Sequence, residues 1–170
     1  MIRIAGIEDL ECIVEIYNQA LDAQFQTAYT DRVRVVERVE WFHRHPENKF
    51  PFFVYVTDGR VTGWISASPY RQGRAAFRYC VEISYFVHTS YLKKGIGSQL
   101  LEHMLNACRE LKYKTALALI LDKNIASAKL LEKYGFEKWA FLPDIADFDG
   151  VVCSHVYYGK PLSPKGEPAI

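Results

Sequence analysis

The most informative segment of the sequence runs from Val81 to Leu111 and reads V-E-I-S-Y-F-V-H-T-S-Y-L-K-K-G-I-G-S-Q-L-L-E-H-M-L-N-A-C-R-E-L. Residues 81–87 are mostly apolar, β-branched or aromatic, which predicts a well-buried strand. From Leu100 onward the apolar residues recur at helical spacing, so we predict a helix over 98–111. A short basic turn with two glycines joins the strand to the helix.

The turn comprises Lys93, Lys94, Gly95, Ile96, Gly97 and Ser98. Its glycines allow a tight bend and let another molecule approach the backbone N–H groups. The first N–H groups of the helix have no intrahelical partner, and the helix dipole and two lysines add positive charge. The turn therefore suits an anion, phosphate above all. An ordinary strand-to-helix turn is the simpler interpretation, because a bare G-x-G is common.

Two familiar phosphate loops do not match this turn. A Walker A loop needs Gly-Lys followed by Ser or Thr, whereas Gly97 is followed by Ser98 and Gln99. A dinucleotide-binding fingerprint needs a third small residue where Leu100 stands. A phosphate bound here would belong to another class of loop.

The composition indicates one globular domain. The chain has 170 residues, of which 49% are hydrophobic, and we predict a single domain over 1–160 and a loose, proline-rich tail over 161–170. A formal net charge of +1 argues against nucleic acid as the main partner. No apolar run is long enough to span a membrane, so we expect no membrane partner.

The cysteines and the N-terminus favour a cytoplasmic protein without a metal site. The cysteines are Cys12, Cys80, Cys108 and Cys153. Because they form no C-x-x-C motif, we expect reduced core residues rather than disulfides or a zinc site. The N-terminal segment is acidic too early for a signal peptide. His43 and His45 lack further nearby ligands.

The remaining elements follow from the same periodicities. Predicted strands cover 2–4, 52–56, 61–67, 77–87, 115–121, 137–142 and 151–158, and predicted helices cover 8–21, 33–43, 98–111 and 126–133. Asp58-Gly59 marks a hairpin, and Asn124 and Gly135 stand where the last helix needs its N-cap and its left-handed end. Strand 115–121 has no polar face, so we predict a buried strand joined to strand 77–87 by a parallel, right-handed crossover.

Six short motifs are spread through the chain. They are Ile16-Tyr17-Asn18, Trp41-Phe42, Val81-Glu82-Ile83-Ser84, Lys94-Gly95-Ile96-Gly97-Ser98, Asn124-Ile125-Ala126-Ser127 and Glu132-Lys133-Tyr134-Gly135-Phe136. Together, in this order and at this spacing, they resemble the GNAT superfamily of N-acetyltransferases over nearly the whole chain. The chain is most similar to the phosphinothricin and methionine sulfoximine acetyltransferase group. The resemblance implies a GNAT-like α/β fold, with a mixed, mostly antiparallel sheet and helices on both faces.

The resemblance also implies the reaction. Acetyl-CoA would donate its acetyl group directly to a primary amine of a small amino-acid-like acceptor in a ternary complex. The pyrophosphate would rest on residues 93–98, and the pantetheine arm would lie between residues 85–87 and the strand after the helix. A backbone N–H near Phe86 or Val87 would meet the thioester oxygen. The side chains of Asn124 and Ser127 would contact the coenzyme near its thiol.

Glu82 occupies the general-base position of the family. An ammonium acceptor must lose a proton before it attacks, and a carboxylate beside the thioester can take that proton directly or through a water. A carboxylate between Val81 and Ile83 in mid-strand favours a shifted pKa. Pairing with Arg78 is the simpler alternative. His88 is the second candidate base, with a surface loop residue as its ordinary interpretation.

Two positions depart from the family pattern. Leu92 stands where an Arg or Gln is frequent, which leaves the pyrophosphate to the backbone and to Lys93 or Lys94. Leu131 stands where many members place the tyrosine or histidine that protonates the departing thiolate, and Tyr134 lies one turn later. A free thiol has a pKa near ~8.5, so its thiolate can leave without a dedicated acid.

The sequence indicates the chemical identity of the acceptor amine less specifically than it indicates the acetyl donor. In the family, the pocket is shaped by segments that correspond to residues 24–29 and 71–78. Tyr29, Arg74 and Arg78 are the candidate substrate-binding residues, and the arginines suit a carboxylate or phosphinate; solvated surface charge is the alternative. A peptide amine as acceptor, and an acyl-CoA-binding module without turnover, stay open. Relatives of this group are often dimers, so we expect a homodimer.

Overall fold

The structure, a computed structural model, describes residues 1–162, which form a seven-stranded sheet and its helices. The strands are β1 Ile2–Ile4, β2 Phe52–Thr57, β3 Arg60–Pro69, β4 Cys80–Val87, β5 Thr115–Leu121, β6 Glu137–Phe148 and β7 Val151–Pro161. The helices are α1 Leu10–Asp22, α2 Val35–His43, α3 Ile96–Glu110 and α4 Ile125–Lys133. The strand order is β1-β2-β3-β4-β5-β7-β6, and within the described residues only β4 and β5 pair in parallel. The predicted fold class is confirmed.

β4 separates two apolar clusters because its side chains alternate between the faces of the sheet. The cluster beneath α3 and α4 contains Val81, Ile83, Leu101, Met104 and Leu131. The cluster beneath α1 contains Ile13, Ile16, Phe52, Val54 and Trp64. Each fully buried side chain of this kind stabilises the fold by about 1.5–3 kcal/mol. Helices therefore cover both faces of β4, as predicted.

Element boundaries differ from the predictions where a local turn intervenes. β4 begins at Cys80 rather than at residue 77, because residues 75–77 form a 3₁₀ turn. α3 begins at Ile96, two residues early, because Gly95 has a left-handed φ of +80° and Ile96 is already buried in the core. α1 begins two residues late, after a 3₁₀ turn over residues 7–9.

The start of the predicted tail belongs to the sheet. Pro161 pairs with Thr115 of β5, and the buried Leu162 donates its N–H to the Lys114 carbonyl at 2.9 Å. The prediction of a loose segment is wrong for these two residues. Pro161 is the last residue of β7, and Leu162 continues the pairing alongside the start of β5. The prediction for residues 163–170 lies outside the described residues.

The cysteines and helices add two structural facts. All four cysteines are free thiols; Cys108 and Cys153 are buried, and Cys12 and Cys80 are half-buried. In residues 1–162, none of the helices combines the length and the apolar character that crossing a bilayer requires.

Candidate active site

β4 and β5 pair at one end only, which opens a gap in the sheet. Their parallel register covers residues 80–82 of β4 and 115–117 of β5. Beyond that point, β4 stays paired with β3, and β5 stays paired with β7. Between Glu82 and the end of β4, the peptide groups that face β5 therefore have no strand partner within the described residues. Peptide groups of this kind can pair with an extended ligand.

The pairing with β3 determines which N–H groups face the gap. The His88 N–H donates to the Thr62 carbonyl at 2.9 Å. Because successive residues of an antiparallel strand point their peptide groups to opposite sides, the Phe86 N–H also points toward β3. The N–H groups of Tyr85 and Val87 point into the gap. Of the two residues predicted to meet a thioester oxygen, only Val87 presents its N–H there.

Two cavities meet at the gap, one on each face of the sheet. The α1-side cavity has a volume of about 360 Å³, and the α3-side cavity has a volume of about 370 Å³. Both are lined by Gln26, Ser84, Phe86, Leu119 and Ile120. These shared residues bring the two cavities into contact between β4 and β5.

The α3-side cavity gathers nearly all the residues predicted to bind a coenzyme. They are Phe86, Val87, Lys93, Gly95, Ile96, Gly97, Ser98, Asn124 and Ser127. Lys94 is the exception: its ammonium lies 4.6 Å from the centre of the Tyr91 ring, and it borders a different cavity. The backbone is left-handed on both sides of Lys94, at Lys93 (φ +60°) and Gly95 (φ +80°), and this bend separates its side chain from that of Lys93.

The N-terminus of α3 offers free N–H groups at this cavity. The first helical hydrogen bond runs from the Gln99 N–H to the Gly95 carbonyl at 3.1 Å. The N–H groups of residues 96–98 precede that bond, so they have no carbonyl of the helix as a partner. A Cβ on Gly97 would lie 3.3 Å from the Leu130 side chain, which is a tight contact. Glycine there lets α3 and α4 approach each other closely at the N-terminus of α3, and helix N-termini of this kind suit an anion.

Asn124 begins α4 as its N-cap. Its side-chain oxygen accepts the Ser127 N–H at 3.1 Å, as the sequence predicts. This bond occupies the amide oxygen and leaves the amide NH₂ of Asn124 and the hydroxyl of Ser127 as donors at the cavity.

Glu82 lines the α1-side cavity. No hydrogen bond or ion pair to its carboxylate occurs within residues 1–162, and burial raises the pKa of Glu82 above its usual value. Arg78, the alternative partner, donates instead to the Ala75 carbonyl at 3.2 Å and lies over the Tyr79 ring. An unpaired carboxylate with a raised pKa has the properties of a general base.

The α1-side cavity also contains Tyr17, Arg38, Trp41 and His155, none of which the sequence analysis names as a site residue, although Tyr17 and Trp41 belong to two of the family motifs. The Arg38 guanidinium lies 5.2, 5.0 and 5.4 Å from the ring centres of Tyr17, Tyr29 and Trp41. Cation–π attraction to three rings holds it in place. No carboxylate pairs with Arg38 in the part of the chain that the structure describes. The i, i+3 spacing of Arg38 and Trp41 on α2 is a signal that could have placed both on one face.

Other predicted residues lie elsewhere. Tyr29 lines the α1-side cavity, but Arg74 and Arg78 border a separate cavity beyond the β3–β4 hairpin. Both arginines flank the 3₁₀ turn that precedes β4, so they lie outside the strand and are not brought beside Glu82. His88 lines neither cavity and lies 3.8 Å from Glu15.

Comparisons with known proteins agree with this geometry. Residues 10–136 match the acetyltransferase (GNAT) family. The Bacillus subtilis protein YwnH, whose name assigns it provisionally to the phosphinothricin acetyltransferases, is 35% identical over 95% of this chain and 99% of its own length. The L-methionine sulfoximine/L-methionine sulfone acetyltransferase of Salmonella typhimurium is 32% identical over 85% of this chain and 84% of its own length. The structure of yncA from Salmonella typhimurium, solved with its cofactor acetyl-CoA, has a TM-score of 0.91 at 28% identity and covers 99% of this chain and 97% of that chain.

The chain therefore belongs to the GNAT acetyltransferase family, which uses acetyl-CoA as its acetyl donor. Within that family, its curated relatives include proteins named as phosphinothricin and methionine sulfoximine acetyltransferases.

Proposed function

We propose that this acetyltransferase acetylates the primary amine of a free amino acid or a close analogue, by direct attack with both substrates bound. The observation that carries the proposal is the contact of two cavities at the β4–β5 gap, with Glu82 on the α1 side and residues 93–98 on the α3 side. The acceptor would occupy the α1-side cavity, and acetyl-CoA would occupy the α3-side cavity. Ser84 and Phe86, which border both cavities, would then lie beside the acetyl group.

The α3-side cavity fits an acyl-CoA in three respects. The free N–H groups of residues 96–98 and the ammonium of Lys93 suit the pyrophosphate. The unpaired peptide groups of β4 suit the amides of the pantetheine arm. The Val87 N–H faces the gap and suits the thioester oxygen, which gains negative charge as the amine attacks.

The α1-side cavity fits an amino acid because it carries both complementary charges. Glu82 suits the acceptor's ammonium, and Arg38 suits its carboxylate through two parallel N–H donors. Tyr17, Tyr29 and Trp41 add apolar contacts around the acceptor side chain. Methionine sulfoximine, the acceptor named for the Salmonella relative, is an amino acid analogue of this kind.

Glu82 would start the reaction by accepting a proton from the acceptor's ammonium, which frees the nitrogen lone pair for attack. Its raised pKa makes it a stronger base than an exposed carboxylate. The loop between α1 and α2 would keep bulk water from this step. The Tyr17 hydroxyl hydrogen-bonds to the Thr27 hydroxyl at 2.7 Å, which ties that loop to α1 beside the cavity.

Thiol release from acetyl-CoA, followed with a thiol-reactive dye, tests the proposal. The amine panel contains methionine sulfoximine, phosphinothricin, ordinary amino acids, polyamines and short peptides. We expect turnover with an amino acid or analogue and little with polyamines, which lack the carboxylate for Arg38. Turnover with peptides alone would support a peptide amine as acceptor. Coenzyme binding without thiol release from any amine would support a non-catalytic binding module.

A further inference from the structure

The Tyr85 hydroxyl is buried and has no hydrogen-bond partner within residues 1–162. Burial raises the pKa of Tyr85 to about 12, so the phenol keeps its proton at neutral pH. The Ser127 side chain is close enough to moderate this rise, but it forms no well-directed hydrogen bond with the phenol. A buried hydroxyl without a partner is destabilising, and such groups in native proteins often have a functional explanation.

Tyr85 stands at the level where the two cavities meet. Tyr85 is among the residues that line the α3-side cavity, with Asn124 and Ser127, and its chain neighbours Ser84 and Phe86 border both cavities. Because side chains alternate along β4, the Tyr85 ring points to the α3 face of the sheet, where it packs against the apolar cluster beneath α3 and α4 and its phenol lies beside Ser127.

No other acid stands where the family pattern expects one. Leu131 occupies that position as a fully buried member of the apolar cluster beneath α3 and α4. Tyr134 does not line the α3-side cavity, and the Lys133 ammonium lies over its ring. Among the tyrosines at this cavity, Tyr91 lies beside Lys94 near the glycine turn, whereas Tyr85 lies beside Ser127.

We propose that the Tyr85 phenol donates a hydrogen bond to the sulfur of coenzyme A as the thiolate departs, in place of the acid missing at Leu131. This inference rests on the proposed function, because it needs acetyl-CoA in the α3-side cavity. In the step, the acceptor nitrogen forms a bond to the acetyl carbon, the carbon–sulfur bond breaks, and its electron pair stays on sulfur. The acceptor ammonium gives up one proton to Glu82 before it attacks, and the nitrogen loses a second proton to water as the amide forms. The thiolate takes up one proton from water when it is released, so one proton in total passes to the solvent.

The phenol acts as a hydrogen-bond donor rather than as a proton source. A thiol has a pKa of about 8.5, well below that of the Tyr85 phenol, so the proton stays mainly on oxygen while the bond stabilises negative sulfur. Hydrogen bonds to charged groups contribute more than neutral ones. The bond is therefore strongest when sulfur carries its charge, which favours the departure of the thiolate.

Coenzyme binding tests this role without the acceptor. Calorimetry of wild type and Tyr85→Phe with coenzyme A, and with desulfo-coenzyme A that lacks the thiol, would be run from pH 7 to 9.5. In wild type, the affinity for coenzyme A relative to the desulfo compound should rise with pH as the thiol ionises to the thiolate. In Tyr85→Phe, the increase of this affinity ratio with pH should be about tenfold smaller, which is the effect of one hydrogen bond to a charged group.

Tyr134→Phe is the matched control, because it removes a phenol at the C-cap of α4, outside the α3-side cavity; this variant should behave as wild type. The same pH dependence in wild type and Tyr85→Phe would overturn the role of Tyr85 and leave the coenzyme site intact. Failure of wild type to bind either compound would overturn the coenzyme site and the inference together.

Stability and turnover separate this role from a structural one. Removal of an unpartnered buried hydroxyl should raise the melting temperature of the free protein. With an active acceptor, the kcat of Tyr85→Phe should be at least tenfold below that of wild type, while its KM for acetyl-CoA stays the same. A lower melting temperature with unchanged kcat would show that the phenol serves packing alone and would overturn the proposal.

Discussion

Glu82 is an ionisable side chain among apolar neighbours, and the loss of water around it raises its pKa. A base works best when its pKa approaches the working pH, so the same burial would favour proton transfer in the proposed role of Glu82. The folded protein holds this proton more tightly than the unfolded chain does. The contribution of Glu82 to stability is therefore most favourable below its unfolded pKa, and it declines as the pH rises through the folded pKa.

Glu82→Gln should lower kcat by about 10²- to 10⁴-fold near neutral pH, because the amide keeps the shape of the side chain and cannot accept the proton. In wild type, kcat/KM should rise with pH through the raised pKa of Glu82, and the variant should lack this rise. Steady-state kinetics between pH 5 and 9 measure both effects.

The control for this substitution is Glu102→Gln, which changes an exposed carboxylate on α3 and should leave kcat unchanged. Thermal unfolding at pH 8 should show Glu82→Gln to be at least as stable as wild type, because an ionised buried carboxylate has been removed. Full activity of Glu82→Gln at neutral pH would exclude Glu82 as the base.

Arg38→Met should raise the acceptor KM at least tenfold with little change in the KM for acetyl-CoA, because it removes a charge-assisted bond to the acceptor carboxylate. An acceptor with a carboxamide in place of the carboxylate should bind equally weakly to both proteins. Arg44→Met is the control: its exposed pair with Glu40 contributes little to stability. If Arg38→Met leaves the acceptor KM unchanged, the carboxylate is bound elsewhere, for example by Arg74 or Arg78.

The strand, turn and helix over residues 80–110 form one continuous segment that lines both cavities. β4 supplies Glu82 on one face and Tyr85 on the other, and the turn directs the free N–H groups of α3 toward the α3-side cavity. The turn depends on Gly95, whose left-handed φ of +80° is costly for any residue with a Cβ.

Gly95→Ala should destabilise the protein by about 1–2 kcal/mol through backbone strain and should also weaken coenzyme binding. Gly73→Ala is a closely matched comparison, because Gly73 has a φ of +82° and open space around it, far from the α3-side cavity. Urea unfolding should give similar losses for both variants, and calorimetry should give weaker coenzyme A binding for Gly95→Ala alone. Equal coenzyme affinity in both variants would contradict a phosphate-binding role for the turn.

At the level of the molecule, two apolar clusters hold β4 from opposite faces, so the positions of Glu82 and Tyr85 depend on the whole core. Leu101 is fully buried in the cluster beneath α3. The homodimer expected from the resemblance stays a prediction, which sedimentation equilibrium would test.

Leu101→Ala should lower the free energy of unfolding by about 2–5 kcal/mol, because it removes buried methyl groups and leaves a cavity that the core cannot fully close. Ile145→Ala, at an exposed position of β6, should change the free energy of unfolding by no more than about 0.5 kcal/mol. Urea unfolding of the two variants measures the difference. A small loss for Leu101→Ala would mean that this core relaxes to fill the space.

Much of the fold and part of the site could be predicted from the residues alone. Apolar periodicity identified β4, β5 and α3, because the spacing that buries one face of an element is a local property of the chain. Asn124 and Gly135 were recognised as helix ends for the same reason: a cap acts within one turn. The glycines, the lysines and the start of a helix indicate the turn, and the resemblance indicates Glu82; the structure places the two at different cavities, one on each face of the sheet.

The tertiary structure determines how these parts meet. It opened the gap between β4 and β5, directed the Val87 N–H rather than that of Phe86 into it, and kept Lys94 and the arginines at 74 and 78 out of the two cavities. It also brought Arg38 of α2 beside Tyr17 of α1, and it left the Tyr85 phenol without a partner. Each of these facts depends on segments far apart in the chain packing against one another. Local patterns therefore predict the elements and single candidate residues, whereas the shape of a cavity and the partners of each polar group follow from the packing of the whole molecule.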